Sequence, residues 1–425
     1  MALGLGVIYQ WVLAAVYQGL IVQTFGGVSE AHLTSTLQVV ISYVATGIAC
    51  VACSIYCSRR KGPSRVIVVV HLVGVVLPLQ ALVAARYEFA SAAFASAVAF
   101  AYVGAVALAA MLPQLRLPPA GKMGLTVLIA MSLLMTLYLY GALLARGGLG
   151  RLNFDLASVY RVRAEFLRTA APFTGYLVPW QGYVLNPSMM LLGIRKRSVI
   201  PGGLGLALQL VLFGETGYRA FLFLPVLLIA FYVIAERRNL TAIALMGAIA
   251  VVGFALALYA ALRAPLIPSL LVDRLLVIPA QIHYWYYDFF GVHHAPFLQL
   301  SQSILSFLSE APFHSPIAKV IGWTYMNSDG SANVGLFGDA FANFGFLGCG
   351  IFAILLALVL VTLDAAARGV HPRVATALIA MPAFELINSG LLTTLLTEGL
   401  ALAIVVLWAM WESPVRPGAA VAGRR

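Results

Sequence analysis

Charge is what this chain has least of. Only 10% of its 425 residues are Asp, Glu, Lys or Arg, and acids are outnumbered by bases, 15 to 26. Soluble domains carry about a quarter charged residues, so water is excluded as the main solvent. Cysteine is equally sparse, at four, which excludes a disulfide-stapled scaffold. Cys50, Cys53 and Cys57 share one face of an apolar run and Cys349 lies in another. Their Cys-x-x-Cys spacing has a redox reading, but small residues at that period also pack one membrane helix on another. No soluble domain is visible. The amino terminus lacks the basic n-region of a cleavable signal, so its first apolar run reads as a retained span.

What the chain has instead is apolar length: 62% of residues are hydrophobic and the mean hydropathy is +0.96. Runs long enough to cross a bilayer recur from end to end without the polar–apolar alternation of a barrel, so backbone groups must be satisfied within helices. The expected fold is all-α, a single polytopic transmembrane bundle of about 12 spans by the 20-residue criterion. These lie near Leu3 to Val22, Leu37 to Cys57, Val66 to Ala85, Ala92 to Leu112, Met123 to Ala145, Tyr176 to Ile194, Val199 to Phe213, Ala220 to Ala235, Leu240 to Leu262, Val334 to Val361, Val374 to Asn388 and Leu391 to Trp411. The Val199 to Ala235 and Val374 to Trp411 stretches each exceed one span and read as helical hairpins.

Basic residues in short loops set the orientation. Arg59, Arg60, Lys61, Arg65, Arg116, Lys122, Arg195, Lys196, Arg197, Arg237, Arg238, Arg368, Arg373, Arg416, Arg424 and Arg425 all fall on one side, with only Glu236, Asp364 and Glu412 as acids. Both termini are therefore expected in the cytoplasm, and the net charge of +11 reflects topology, not nucleic-acid binding.

Two long segments, 146–175 and 263–333, are left on the outer side with basic residues that topology disfavours there. Such loops are where function concentrates. In VYRVRAEFLR, Glu165 has Arg161 and Arg168 at helical spacing and can pair with both, whereas Arg163 lies on another face and suits an external anion or a headgroup. The following span holds Pro179, Gln181, Asn186 and Pro187, which suits a kinked helix facing a cavity or a polar packing seam. The Gly214 to Arg219 turn places Arg219 at the outer mouth of the bundle, where it can pair with Glu215 or meet a diphosphate through its fork of donors. In the second segment Arg274, His283, Asp288, His293 and His294 sit among Tyr284, Trp285, Tyr286, Tyr287, Phe289 and Phe290. Such aromatic density makes either an interfacial belt or a sugar-binding platform, and the histidine spacing matches no standard metal site. Asn333, Asp339 and Asn343 then lead into the tenth span, where polar groups face a bundle interior.

These residues resemble a family, the Wzy-type polymerases of O-antigen and exopolysaccharide repeat units. The likeness is carried by VYRVRAEF, the GYLVPW to NPSMMLLG span, TGYRAFLF, DRLLVIPAQIHYWYYDFF and ANVGLFGDAFANFGFLG, in order, over roughly residues 155 to 350. It implies a metal-independent glycosyltransferase, of a fold resembling the GT-C type, in a bacterial inner membrane and needing no cofactor. The enzyme would act at the periplasmic face, moving a growing glycan from undecaprenyl diphosphate onto a new lipid-linked repeat unit. Implied partners are the undecaprenyl-diphosphate-linked oligosaccharide, membrane lipids, a chain-length regulator and a flippase.

By motif position, the resemblance implies that Arg163, Arg219 and Arg274 hold the diphosphate with Tyr160 and Tyr218 beside them, and that Trp180, Tyr284, Trp285, Tyr286, Tyr287, Asn333 and Asn343 contact glycan. Tyr218-Arg219 stands where many relatives carry His-Lys, which keeps the charge and removes a histidine. A base for the attacking hydroxyl is sought among Asp288, Asp339, Glu215 and His283. Two rivals remain, an O-antigen ligase and a transporter or flippase for lipid-linked sugars. The ligase pattern of His followed by Asn is missing, since Ala295 follows His294, and no self-similar halves suggest a transporter.

Overall fold

The computed structural model describes residues 1–25, 35–145, 151–156, 158–263, 266–302 and 305–410. Arg146, Trp411, Glu412, Arg416, Arg424 and Arg425 lie outside the described residues. Most of those described are helical, with no strand among them. The helices are α1 (Ala2–Ile21), α2 (Thr36–Arg59), α3 (Ser64–Ala84), α4 (Ala92–Met111), α5 (Gly121–Ala145), α6 (Val159–Arg168), α7 (174–196), α8 (Val199–Thr216), α9 (Arg219–Ile234), α10 (Leu240–Leu262), α11 (266–292), α12 (Ile317–Met326), α13 (Leu336–Ala366), α14 (Pro372–Asn388), α15 (Leu391–Leu396) and α16 (Leu400–Ala409).

Eight of these helices are long and apolar enough to cross a membrane, and the chain is a polytopic helical membrane protein. Of the other four expected spans, α9 and α14 are shorter helices, and the segment from Leu391 is split into α15 and α16. The remaining one, α7, runs unbroken through 174–196.

The bundle is organised around α3. Its apolar window is 94% buried, against 11% for α5, whose Leu133, Leu134 and Leu137 face outward. Helices α1, α2, α4, α10, α11 and α13 gather on the α3 side, and α5 to α9 form a second group. Helix α14 joins the two, lying against α3 on one side and against α7 and α9 on the other.

Proline shapes three of the helices. The wide π turns at Leu72–Val76, Gln181–Leu185 and Ser269–Val277 end just before Pro78, Pro187 and Pro279. A proline has no N–H to donate and its ring crowds the carbonyl four residues back, so the preceding turn widens instead of breaking. Helix α7 thus stays continuous across Pro179 and Pro187, with its widened turn where the sequence suggested a kink.

Helix α13 does the opposite. Phe344 and Gly345 leave helical geometry, Gly345 at φ +63°, and the limb ahead of them folds back so that Gly348 sits against the Ala340 carbonyl with no room for a side chain.

The basic loops assemble at one end. Arg60 donates to carbonyls at the end of α4, Arg65 to Ala235 O at 2.8 Å, Arg368 to Gln114 and Arg373 to Glu236. Asp364 accepts from both the backbone and the hydroxyl of Ser64. The α8–α9 turn is therefore at the opposite end, because the other end of α9, at Ala235 and Glu236, is held by Arg65 and Arg373. The cysteines are all free and buried; Cys53 Sγ lies 3.4 Å from Thr241 Oγ1, so they pack helices.

Candidate functional site

At the end away from the basic loops, α6 lies across the turn between α8 and α9. Gly217 caps α8 in the left-handed region, φ +67°, where a side chain would be strained. A Cβ there would also sit 2.5 Å from Val159 O and 3.3 Å from Arg163 N. Glycine thus lets α6 rest on the turn.

That contact fixes two guanidinium groups. Arg163 donates to Gly217 O at 3.1 Å and lies over the Tyr218 ring, 4.3 Å from its centroid. Arg219 donates to Leu156 O at 3.0 Å and lies over the Tyr160 ring at 5.2 Å. The Nε of each is buried without a hydrogen-bond partner, which is costly for a charged donor. Burial pushes the Tyr218 phenol up, with Arg163 acting against it. Glu165 pairs with Arg151, a partner helical spacing did not suggest, while Arg161 and Arg168 stay exposed. Glu215 lies in the last turn of α8.

Beneath this corner are two acids that the sequence reading passed over. Glu385 is on α14 and Glu398 is in the bend between α15 and α16. They interact with each other and both act on the phenols of Tyr183 and Tyr218. Trp180 Nε1 donates to Leu396 O at 2.6 Å and Gly399 abuts Val184, holding the broken segment against α7. The available signal was the presence of ionisable residues inside apolar spans, which mark function by default.

The remaining candidates are elsewhere. Arg274 is exposed on the part of α11 that packs on α1, α3 and α10, none of them a neighbour of α6 or of the α8–α9 turn. It does not join Arg163 and Arg219. The segment 263–333, expected as an outer loop, begins with α11 packed into the bundle. His283 is fully buried near His71 of α3, with Nδ1 2.6 Å from Pro279 O, so it is not an outward base.

The expected glycan platform is largely core. Tyr284 donates to Leu79 O, Trp285 to Tyr87 Oη and Tyr286 to Ala332 O, while Tyr287 stacks on Phe94 with centroids 4.9 Å apart. Their rings fill space between helices because α11 is a core helix.

Asp288 accepts from Tyr325 Oη at 2.5 Å and lies 3.1 Å from His293 Nδ1; burial and that carboxylate push the Tyr325 phenol up. Asp339 accepts from Asn343 Nδ2 and abuts Gly390, and Asn343 Oδ1 also accepts from Leu300 N at 2.8 Å. Both are structural joints of the folded-back limb. Asn333 is exposed.

Gln181 and Asn186 are buried in a polar packing seam. Gln181 Nε2 donates to Asn186 Oδ1 at 2.7 Å, and Asn186 Nδ2 donates to Gln209 Oε1 at 3.0 Å and Tyr140 Oη at 3.2 Å. Gln209 continues to the carbonyls of Gly182 and Phe221. This ladder ties α7 to α5, α8 and α9 and so holds the two-arginine corner in place.

Among the described residues, no three His, Cys, Asp or Glu side chains converge to hold a metal ion. No family model, curated protein or solved structure matches the chain.

Proposed function

We propose that this protein is a membrane glycosyltransferase that polymerises lipid-linked oligosaccharide repeat units, moving a growing glycan from undecaprenyl diphosphate to a sugar hydroxyl of a newly arrived lipid-linked unit. The carrying observation is the corner in which Arg163 and Arg219 are held by backbone carbonyls and tyrosine faces on either side of Tyr218. Departure of a lipid diphosphate builds negative charge in the transition state. Guanidinium groups already oriented in a partly dry site stabilise that charge without reorganising. The corner lies opposite the basic loops, so by the positive-inside rule it faces the periplasm of a bacterial inner membrane, with the amino terminus cytoplasmic. Arg274 is left out of this diphosphate site.

The test is the glycan ladder of cells carrying Arg163→Ala or Arg219→Ala. Both variants should reach the membrane and yield single-repeat glycans in place of long chains. Unchanged chain length would overturn the reading. In a deletion strain, lipid-linked repeat units should collect on the periplasmic face; trapping on the cytoplasmic face would make the protein a flippase.

A further inference from the structure

A glycosyl transfer at this corner, on the reading just proposed, needs a base for the acceptor hydroxyl, and Glu215, in the last turn of α8, is already engaged with another group. None of Asp288, Asp339 and His283 serves. The Asp288 carboxylate is taken by Tyr325 and His293. Asp339 is tied to Asn343 inside the folded-back limb, and His283 is sealed in the core. All three sit on α11 and α13, on the α3 side of the bundle.

The α14–α16 region supplies what they do not. Tyr218 has the Arg163 guanidinium over its ring face; on its other flank the Phe221 ring lies 5.6 Å from the Tyr218 ring and 5.2 Å from that of Tyr183, on the stretch of α7 where Trp180 holds Leu396 O and Val184 meets Gly399, either side of Glu398. A short stack of rings therefore separates a cation suited to the leaving diphosphate from the bend that carries a carboxyl suited to the incoming hydroxyl. Among the described residues, neither Glu385 nor Glu398 has an ion-pair partner. Glu398 is only half-buried. It is carried by a bend between two short helices, and backbone outside regular helix persists at membrane depth where it is enclosed by protein or lines a wet cavity. The buried, unpartnered Nε of Arg163 and of Arg219 is an independent sign that an anion completes the site.

We infer that Glu398 is the catalytic base that takes the proton of the acceptor sugar hydroxyl, with Glu385 and Tyr183 positioning it. The hydroxyl oxygen bonds to the anomeric carbon of the donor glycan as the bond from that carbon to the diphosphate oxygen breaks. The electron pair leaves with the diphosphate, beside Arg163 and Arg219. The hydroxyl proton passes to the Glu398 carboxylate and then to water. Base and leaving group on opposite sides of the sugar correspond to inversion at the anomeric carbon.

The experiment uses the full chain purified into lipid nanodiscs and the undecaprenyl-diphosphate-linked repeat unit isolated from cells lacking the protein. Glu398→Gln should lower kcat by about 10²–10⁴-fold, the usual contribution of a positioned acid or base. KM for the lipid diphosphate should change little, while Arg163→Ala should raise it. The fall in wild-type rate toward acid pH should vanish in Glu398→Gln and return in Glu398→Asp. Glu385→Gln and Tyr183→Phe should shift that acid limb without abolishing it. Wild-type kinetics for Glu398→Gln, or an acid limb removed by Glu215→Gln instead, would overturn the assignment. A wild-type protein that extends nothing would overturn the glycosyl-transfer reading itself, and the base assignment with it.

Discussion

Arg163 covers the face of Tyr218 at 4.3 Å from the ring centre and donates to the carbonyl of the residue before it, Gly217, at 3.1 Å. Two contacts made by one planar group leave its charge no freedom to swing toward solvent. Orientation of that kind depends on the flat, forked shape of guanidinium, which an ammonium group does not share.

Arg163→Lys should therefore behave nearly as badly as Arg163→Ala. Loss of one preorganised electrostatic contact in a transition state costs about 10²–10³-fold in rate, so Arg163→Lys should produce short glycans despite retaining the charge. Electrophoresis of the glycan ladder reads this directly. Full-length chains from the lysine variant would show that charge alone suffices.

The amide ladder under the site makes a stability prediction. Asn186 is fully buried and sits between Gln181, Gln209 and Tyr140. Asn186→Leu keeps the branched outline of the side chain but strands the amides of Gln181 and Gln209 in an apolar interior. The expected loss is about 1–2 kcal/mol, as for interhelical hydrogen bonds in membranes. Thermal unfolding in detergent should show a lowered midpoint, and an unchanged midpoint would mean that the ladder is not structural.

A pH effect is expected at the basic end. Arg373 makes two hydrogen bonds to Glu236 Oε2, at 3.0 and 2.7 Å, which holds that carboxyl below its ordinary value of 4.5. A carboxyl whose value is depressed on folding adds stability above its unfolded value, and loses it as pH falls through the folded one. Glu236→Gln should thus lower the melting temperature slightly at pH 7. The difference from wild type should close below about pH 4.5 as the wild-type carboxyl protonates. Exposure of both partners keeps the effect small and sensitive to salt. A difference that grows in acid would contradict the pairing.

Much of the scaffold was legible because a bilayer span is a local property. Twenty apolar residues in a row, as in α2, α4, α5 and α10, require a helix whatever surrounds them. Arg163 and Arg219 could also be singled out, because each stands on the outer side where topology disfavours positive charge. The aromatic run Tyr284 to Tyr287 was ambiguous for the opposite reason. Rings that cover a sugar and rings that fill a core have the same composition, and only the seat of α11 against α3 decides between them.

Composition and span length by themselves determined a helical membrane protein with basic loops on one side, since hydropathy and charge act residue by residue on the surrounding solvent. Tertiary structure alone decided which polar groups meet. Arg274 was parted from the other two arginines, Glu165 went to Arg151, and Glu385 and Glu398 were brought under Tyr218. Those pairings depend on where the chain bends between α15 and α16 and how α6 lies over Gly217, and packing between distant helices sets both.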